Sequence, residues 1–368
     1  MSEKRAEAVI CTENLRKNYK FINGFVSPAK VISVVKAEAY GHGAVEVCRI
    51  LQSEGCGIFA VATADEGLEL RRAGIESDIL ILGVTPVTQA EILAENGFIQ
   101  TVNTREYALS LDSAQKRVPI RVHIKTDTGM SRLGIYCHSV SDAERASDDV
   151  AAIHALKGLK CEGIYTHFAC SDEENDTMTE KQFACFSAVC AAAKARGIDV
   201  GMRHCCNSAA IMKYPQMHLD AVRAGILLYG LSPDGKDEPR LMPVMRVIAR
   251  VSQITHLKKG DTVSYGAAFT AKREMKIATV SIGYADGVPR LLSGKGDVVI
   301  RGRRAPIIGR ICMDMCMADI TDIEDCAPGD EAEIFGGAIS VNEQAFRMGT
   351  INYELLCSVK NRVPRRYI

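Results

Sequence analysis

The chain has 368 residues, 47% of them hydrophobic, a length that suits two hydrophobic cores better than one. Lysine plus arginine equals aspartate plus glutamate at 45 each, so the formal net charge is zero. This balance argues against nucleic acid or an anionic membrane as a partner, because both select for a basic surface. No stretch approaches the roughly 20 apolar residues that a membrane helix needs.

The N-terminus and the cysteines bear on location. The first residues, MSEKRAEAVICTEN, lack the long apolar segment and the cleavage site of a secretory signal. The 14 cysteines are scattered, with no C-x-x-C pair and no Cys/His cluster of zinc spacing. Many stand in apolar runs, where cysteine acts as a small hydrophobic residue. We therefore expect reduced thiols, no metal site and a cytoplasmic protein.

Short apolar runs alternate with amphipathic stretches up to about residue 231. Strands are predicted at Val31–Val35, Gly57–Val61, Asp78–Leu82, Ile99–Val102, Pro119–Ile124, Glu162–Thr166, Met202–Cys206 and Ala221–Gly225. Helices predicted between them include Val45–Ser53, Ala64–Ala73, Thr88–Glu95, Arg105–Ala114 and Glu180–Arg196. Eight strands alternating with helices predict a parallel (β/α)8 barrel of the TIM type, which takes about 250 residues.

The pattern changes after about Pro243. Strand-like runs such as Ile277–Ile282, Asp297–Ile300 and Glu331–Ile334 are separated by glycine-containing turns, and the first convincing helix stands near Asn342–Arg347. We therefore expect an α/β fold, with a barrel domain over residues 1–235 and a mainly β C-terminal domain over residues 236–368.

Polar and glycine-rich segments follow several of the predicted barrel strands. Lys36 ends the first strand, Lys125 the fifth and His167 the sixth, while RHCCNSAA and RAGILLYG mark the seventh and eighth. Because the reactive residues of a barrel lie at the C-terminal ends of its strands, these segments predict one shared site.

Lys36 is the most informative of these residues. It directly follows an apolar run, and burial would lower its amine pKa and make it a better nucleophile toward an aldehyde, although a strand-end lysine can equally be solvated. The small residues within Tyr40–Gly43 would let a ligand approach the backbone closely at the point where a helix is predicted to begin. With Asn207–Ala210 and Gly225–Ile226, they point to a phosphate-bearing ligand, although N-S-A-A is also an ordinary helix cap.

From about Arg5 to Arg366 the chain resembles the alanine racemases, pyridoxal-phosphate enzymes of fold type III. The blocks that carry the resemblance are VVKAEAYGHG, KTDTGMSRLG, YTHFA, NSAA, RAGILLYG, VSYG, SIGYADGVPR, GRICMDM and INYELLCSVKNRVPR. The resemblance implies an isomerase that interconverts L- and D-alanine with pyridoxal 5'-phosphate and supplies D-alanine for cell-wall peptidoglycan.

The resemblance also implies the two acid/base groups. Lys36 would bind the cofactor and act on one face of the substrate, and Tyr265 would act on the other. Two opposed groups suit racemisation, which removes the α-proton from one face and returns it to the other. His167 and Arg223 would connect Tyr265 to the pyridine nitrogen. Without the resemblance, Tyr265 could be a tyrosine packed in a strand and Arg223 a surface residue.

Further roles follow from the resemblance alone. Cofactor binding is implied for Lys36, Tyr40, His167, Asn207, Ser208, Arg223, Gly225, Ile226 and Tyr353. Arg132 and the backbone N–H of Met313 would bind the substrate carboxylate. Lys125 matches a lysine that is often carbamylated, and the alternative is an unmodified lysine paired with a carboxylate. Since Tyr265 and Met313 are far in sequence from Lys36, a head-to-tail homodimer with shared active sites is implied.

Two other functions stay open. One is a serine or broad-spectrum racemase on the same scaffold, although the bulk of Tyr353 favours alanine. The other is a non-catalytic carrier or regulator that binds pyridoxal phosphate, although such proteins resemble the barrel alone. The chain also departs from the family at Glu38, where asparagine is more common, and three cysteines stand beside the motifs: Cys205, Cys206 and Cys312.

Overall fold

The structure is a computed structural model that describes residues 4–114, 118–236 and 238–368. Its strands are β1 (Ala6–Ile10), β2 (Lys30–Val34), β3 (Ile58–Val61), β4 (Asp78–Ile81), β5 (Ile99–Val102), β6 (Ile120–Asp127), β7 (Ile135–Tyr136), β8 (Leu159–Tyr165), β9 (Met202–His204), β10 (Ala221–Ala224), β11 (Met245–Leu257), β12 (Thr262–Val263), β13 (Phe269–Thr270), β14 (Met275–Val280), β15 (Asp297–Ile300), β16 (Arg303–Ile308), β17 (Cys316–Asp319), β18 (Glu331–Phe335) and β19 (Arg365–Tyr367).

The helical segments are α1 (Thr12–Val26), α2 (Lys36–Gly41), α3 (Ala44–Ser53), α4 (Ala64–Arg72), α5 (Ala90–Glu95), α6 (Arg105–Ala114), α7 (Ala143–His154), α8 (Thr177–Ala195), α9 (Ser208–Lys213), α10 (Val341–Met348) and α11 (Asn352–Ser358). Short 3₁₀ turns cover Val87–Gln89, Val140–Asp142, Pro215–Met217, Ile226–Tyr229, Tyr265–Ala267 and Arg290–Leu292. Across the described ranges, every helix is too short or too polar to cross a membrane.

Within these ranges, eight parallel strands close into a barrel in the order β2-β3-β4-β5-β6-β8-β9-β10, and β10 pairs with β2. The predicted (β/α)8 barrel is therefore confirmed. Strands such as β3 are buried along their whole length, because helices cover the outside of a parallel barrel and side chains fill its interior. The barrel strand bounds differ most at β6, which continues to Asp127 rather than ending at Ile124, and at β8, which begins at Leu159 rather than at Glu162.

A second sheet forms the C-terminal domain, in the order β14-β17-β16-β15-β18-β11-β1-β19. Its pairs are antiparallel except for β1 with β19, which confirms the mainly β domain that the sequence predicts. The division between residues 235 and 236 stays a prediction. Strand β1 does not follow it, because this strand lies in the N-terminal part of the sequence yet pairs with β11 and β19 of the second sheet. A single apolar run gives no sign of which sheet it will join.

The segment after β2 has an unexpected left-handed backbone. Residues Ala37–Tyr40 have φ between 52° and 55° and ψ between 42° and 54°. For L-residues this conformation costs roughly 1–2 kcal/mol each. The helix expected to open over residues 40–43 begins only at Ala44, after Gly43 at φ +94°. Lys36 thus stands between a barrel strand and a left-handed turn.

We expect Gly230→Ala to lower the free energy of unfolding by more than about 1 kcal/mol. Gly230 has φ +82°, and a Cβ there would lie 1.9 Å from the carbonyl oxygen of Met242. Gly235→Ala is the matched control, because Gly235 has φ +72° but no atom within 4 Å of the added Cβ. Urea denaturation followed by circular dichroism measures both variants. Equal midpoints would contradict the expectation.

Candidate active site

Lys36 lies at the C-terminal end of the barrel, half-buried, with several charged groups around its amine. Burial lowers the pKa of Lys36, Arg132 lowers it further, and Glu66 opposes the change. A lowered pKa leaves a larger fraction of the amine neutral, and the neutral amine is the nucleophile. The strand-end lysine is therefore in a reactive rather than a fully solvated environment.

Arg223 is a buried cation at the centre of the site. One terminal nitrogen, Nη1, donates to Nδ1 of His204 at 2.7 Å, while Nη2 donates to the carbonyl oxygens of Thr166 and Cys205 at 2.8 and 2.9 Å. Nη2 also lies 3.2 Å from Nδ1 of His167. Because these contacts occupy both terminal nitrogens, Nε–H is the donor that remains for a ligand. The surface alternative for Arg223 is wrong, since its exposure is only 3%.

A chain of rings continues from Arg223 into the barrel. Since Arg223 donates to Nδ1 of His204, the proton of His204 stands on Nε2, which lies 3.0 Å from Nδ1 of His123. The His204 ring stacks on Tyr165 at 4.7 Å. Burial lowers the pKa of His204 well below its usual value, and Arg223 lowers it further. The chain is therefore neutral, and each tautomer is fixed by the arginine.

These ring residues were not among the predicted site residues. A usable signal was present in the strands, where His123 and Lys125 stand two residues apart and so do Tyr165 and His167. Alternate residues of a strand point to the same face. A polar pair at this spacing in a barrel strand therefore indicates an interior polar layer.

Lys125 belongs to this interior layer. Its Nζ donates to the carbonyl oxygen of Thr126 at 2.6 Å and lies 5.4 Å from the centre of the Tyr165 ring. Burial lowers the pKa of Lys125 to about 7, and Arg223 contributes to the lowering. Among the described residues, no carboxylate forms an ion pair with it. The alternative of a lysine paired with a carboxylate therefore gains no support.

A cradle formed by small groups lies after β10. The Gly225 N–H donates to Oγ of Ser208 at 2.9 Å. A Cβ at Gly225 would lie 2.7 Å from the Tyr40 hydroxyl oxygen and 3.6 Å from Oγ of Ser208. The missing side chain therefore keeps space between two hydroxyl groups and the backbone at the start of the Ile226–Tyr229 turn.

Neighbouring side chains complete this cradle. Asn207 caps α9 by accepting the Ala210 N–H at 3.0 Å, so its role in the structure is to position the turn that carries Ser208. The Tyr353 ring lies 5.9 Å from that of Tyr40. Burial raises the pKa of both tyrosines, so their hydroxyl groups keep their protons and can donate to an anion.

Arg132 stands on an exposed but tightly held loop. The Asp127 carboxylate accepts the N–H groups of Gly129, Met130 and Ser131 at 3.0 to 3.1 Å. These bonds fix the backbone immediately before Arg132. The guanidinium is close enough to Lys36 to lower the pKa of its amine, so the two residues share one site.

Tyr265 and Met313 lie together on the second domain, in a depression lined by residues of that domain. Their side chains are 69% and 52% exposed, and they line one depression of about 660 Å³ with Ser264 and Cys312. Ser264 has φ 71° and ψ 178°, a conformation that is nearly confined to glycine, and its Oγ donates to the Arg310 carbonyl at 2.6 Å. Ser264, the residue with this strained backbone, directly precedes Tyr265. Because Tyr265 is largely exposed, the alternative of a tyrosine packed in a strand is wrong.

We expect Lys125→Met to raise the urea midpoint most below pH 7. The folded pKa of about 7 lies below the unfolded value of roughly 10.4, so folding opposes protonation of this amine. The resulting loss of stability is complete below the folded pKa and disappears as the pH rises through the unfolded pKa. Urea denaturation in buffer free of carbon dioxide measures this loss of stability at each pH. Lys157→Met, at an exposed lysine, is the control. A gain that does not change with pH would contradict the expectation.

Comparisons with known proteins bear directly on this architecture. Residues 10–233 match the family model described as alanine racemase, N-terminal domain, and residues 244–367 match its C-terminal domain. An alanine racemase of Desulforamulus reducens is 44% identical over 368 residues, covering 98% of each chain. One from Desulfovibrio desulfuricans is 42% identical over 359 residues, covering 96% of this chain and 95% of the relative.

Solved structures agree with the sequence relatives. The alanine racemase of Clostridium difficile 630 superposes with a TM-score of 0.93 at 37% identity, covering 100% of this chain and 97% of the other. The alanine racemase of Streptomyces coelicolor superposes with a TM-score of 0.93 at 33% identity, covering 99% of this chain and 98% of the other. Both domain matches, the identities and the shared fold agree. The chain therefore belongs to the alanine racemase family of isomerases.

Proposed function

We propose that the protein is a pyridoxal-phosphate-dependent racemase that interconverts L- and D-alanine and supplies D-alanine for peptidoglycan. The observation that carries the proposal is the convergence of three distinct groups at one end of the barrel: the amine of Lys36, the free Nε–H of Arg223 and the cradle at Gly225. Pyridoxal phosphate offers an aldehyde, a pyridine nitrogen and a phosphate to these groups.

The residues present fit this cofactor. Lys36 would bind its aldehyde carbon covalently, and the Arg223 Nε–H would donate to its pyridine nitrogen. The phosphate would be held by Tyr40, Ser208, Tyr353 and the N–H groups of Gly225 and Ile226, with Asn207 positioning the loop. The Gly225 N–H would exchange its bond to Ser208 Oγ for one to the phosphate. When bound, the cofactor stabilises negative charge on the α-carbon of an amino acid. An arginine keeps its proton, so Arg223 limits this stabilisation and disfavours decarboxylation and transamination.

Two opposed acid/base groups would move the α-proton. The amine of Lys36 would take or return it on one face, and the phenol of Tyr265 would do so on the other. His167 is suited to orient that phenol, because its Nδ1 faces Arg223 while its pKa is lowered well below the usual value by burial and by Arg223. The neutral ring leaves Nε2 for the tyrosine hydroxyl.

The substrate carboxylate would be bound from both domains. Arg132 offers a bidentate guanidinium, and the backbone N–H of Met313 offers a second donor. Lys125 is suited to carbamylation, because a pKa of about 7 gives a neutral amine that can attack carbon dioxide. The carbamate would place a negative charge where it could orient Arg132.

A head-to-tail homodimer would bring these groups together. Tyr265 and Met313 line an exposed depression together with Met315, which is 46% exposed. Large apolar side chains gathered on one face are typical of a protein interface. The partner subunit would thus contribute Tyr265 and Met313 to the site around Lys36. The cytoplasmic location stays a prediction.

We expect the purified protein with added pyridoxal phosphate to racemise alanine, as measured by chiral chromatography of either enantiomer. Its visible absorbance band should disappear on borohydride reduction, and Lys36→Ala should show neither the band nor activity, because the cofactor loses its covalent attachment. Lys30→Ala is the control, because Lys30 is an exposed lysine at the first position of the strand that Lys36 follows. Faster turnover of serine than of alanine would favour the broad-spectrum alternative, and a band without turnover would favour the carrier.

We expect a mixture of inactive Lys36→Ala and Tyr265→Phe subunits to regain activity after joint refolding. In a mixed dimer one site would combine intact Lys36 with intact Tyr265, so statistical mixing gives about a quarter of wild-type activity. Each variant refolded alone is the control. Because a site formed within one chain could not be repaired in this way, failure of a demonstrably mixed dimer to regain activity would refute the shared site.

A further inference from the structure

Glu66 connects the ends of two neighbouring barrel strands. One carboxylate oxygen accepts the Ala37 N–H at 2.7 Å, and the other accepts the Ala62 N–H at 2.6 Å and the Thr63 N–H at 3.3 Å. Ala37 follows Lys36 after β2, and Ala62 follows β3. The same residue forms a capping box with Thr63, which fixes its position at the start of α4.

The Ala37 N–H is an important group to fix. It belongs to the first residue of the left-handed turn and to the peptide bond that joins this turn to Lys36. A run of left-handed L-residues persists only where its surroundings determine it. Farther along the turn, Arg365 Nε donates to the Gly41 carbonyl at 2.9 Å. At the lysine end, Glu66 supplies the side-chain bond to the turn.

Glu66 is also a carboxylate that acts on the Lys36 amine. The groups that act on this amine come from several elements: Arg132 and Arg223 are positive, Glu66 is negative, and the Cys357 thiol also favours the protonated form. Glu66 is half-buried, so the solvent screens its charge less than that of an exposed residue. One side chain thus restrains the backbone of Lys36 and balances nearby cations.

We propose that Glu66 is a positioning residue for Lys36, which fixes the first peptide of the left-handed turn and provides a negative charge that opposes the two arginines at the Lys36 amine. The inference rests on the proposed role of Lys36 and adds a residue that acts on it through the backbone. Glutamine at position 66 has one acceptor oxygen and no charge, so it cannot satisfy both strand ends.

The test compares Glu66→Gln with two matched variants. Asp65→Asn removes an exposed carboxylate from the same helical turn, and Thr63→Ala removes the capping hydroxyl but keeps the carboxylate. The full chain, freed of cofactor, is labelled with trinitrobenzenesulfonate across a pH series, and mass spectrometry follows the labelling rate of Lys36. We expect the midpoint of this titration to move to lower pH in Glu66→Gln alone, because a negative charge that favours the protonated amine is lost.

The reconstituted enzymes provide the second measurement. We expect kcat for alanine to fall roughly tenfold to a hundredfold in Glu66→Gln with little change in KM, since small misplacements of a reacting group cost about this much. Glu66→Asp keeps the charge but is too short to join both strands. We expect Glu66→Asp to have a lower kcat with a smaller change in the Lys36 midpoint. This variant also provides the test if Glu66→Gln does not fold.

Two results would overturn the proposal. One is that Glu66→Gln and Glu66→Asp both have the same Lys36 midpoint and the same kcat as Asp65→Asn. The other is an equal change in Thr63→Ala, which would show a capping role only. The labelling experiment needs no cofactor and no turnover, so it reports on Glu66 even if the proposed racemase function fails. Conversely, an inactive wild type with a shifted Glu66→Gln midpoint would refute only that function.

Discussion

The left-handed turn over Ala37–Tyr40 is the constraint on which the site depends. It costs roughly 1–2 kcal/mol for each residue, so contacts from elsewhere must hold it. Some of these contacts come from the second domain: Arg365 donates to the Gly41 carbonyl, and the Tyr367 hydroxyl donates to the carbonyl of the next residue at 3.0 Å. The barrel alone therefore does not hold the segment that follows Lys36, and the β-domain is part of the scaffold that fixes it.

The electrostatics of the barrel interior depend on the buried Arg223. Arg223 is fully surrounded, yet its bonds go to backbone carbonyls and neutral rings rather than to carboxylates. Such acceptors compensate a buried cation without cancelling its charge. Burial lowers the pKa of His167, His204 and Lys125, and the uncancelled charge of Arg223 lowers each of them further. A carboxylate partner for Arg223 would offset the arginine's contribution to each of these pKa values and leave the contribution of burial.

The sequence predicts the architecture better than the local geometry. The barrel could be predicted because alternation of strands and helices is a long-range pattern that tolerates errors at single boundaries. The left-handed turn could not, since Ala37, Glu38 and Ala39 have ordinary or high propensity for a right-handed helix. His123 and His204 were missed because spacing shows which face a residue is on, whereas it does not show which residues from different strands will meet.

The pairing of β1 has a consequence for how the chain reaches this structure. Barrel strands pair mostly with neighbours that are close along the chain, whereas β1 needs β11 and β19. Contacts across long sequence separations form late, because closing a long loop costs entropy before the contact stabilises it. During synthesis β1 would therefore remain unpaired while the barrel assembles. The same late step brings Arg365 and Tyr367 to the turn beside Lys36, so catalytic competence would be acquired only at the end of folding.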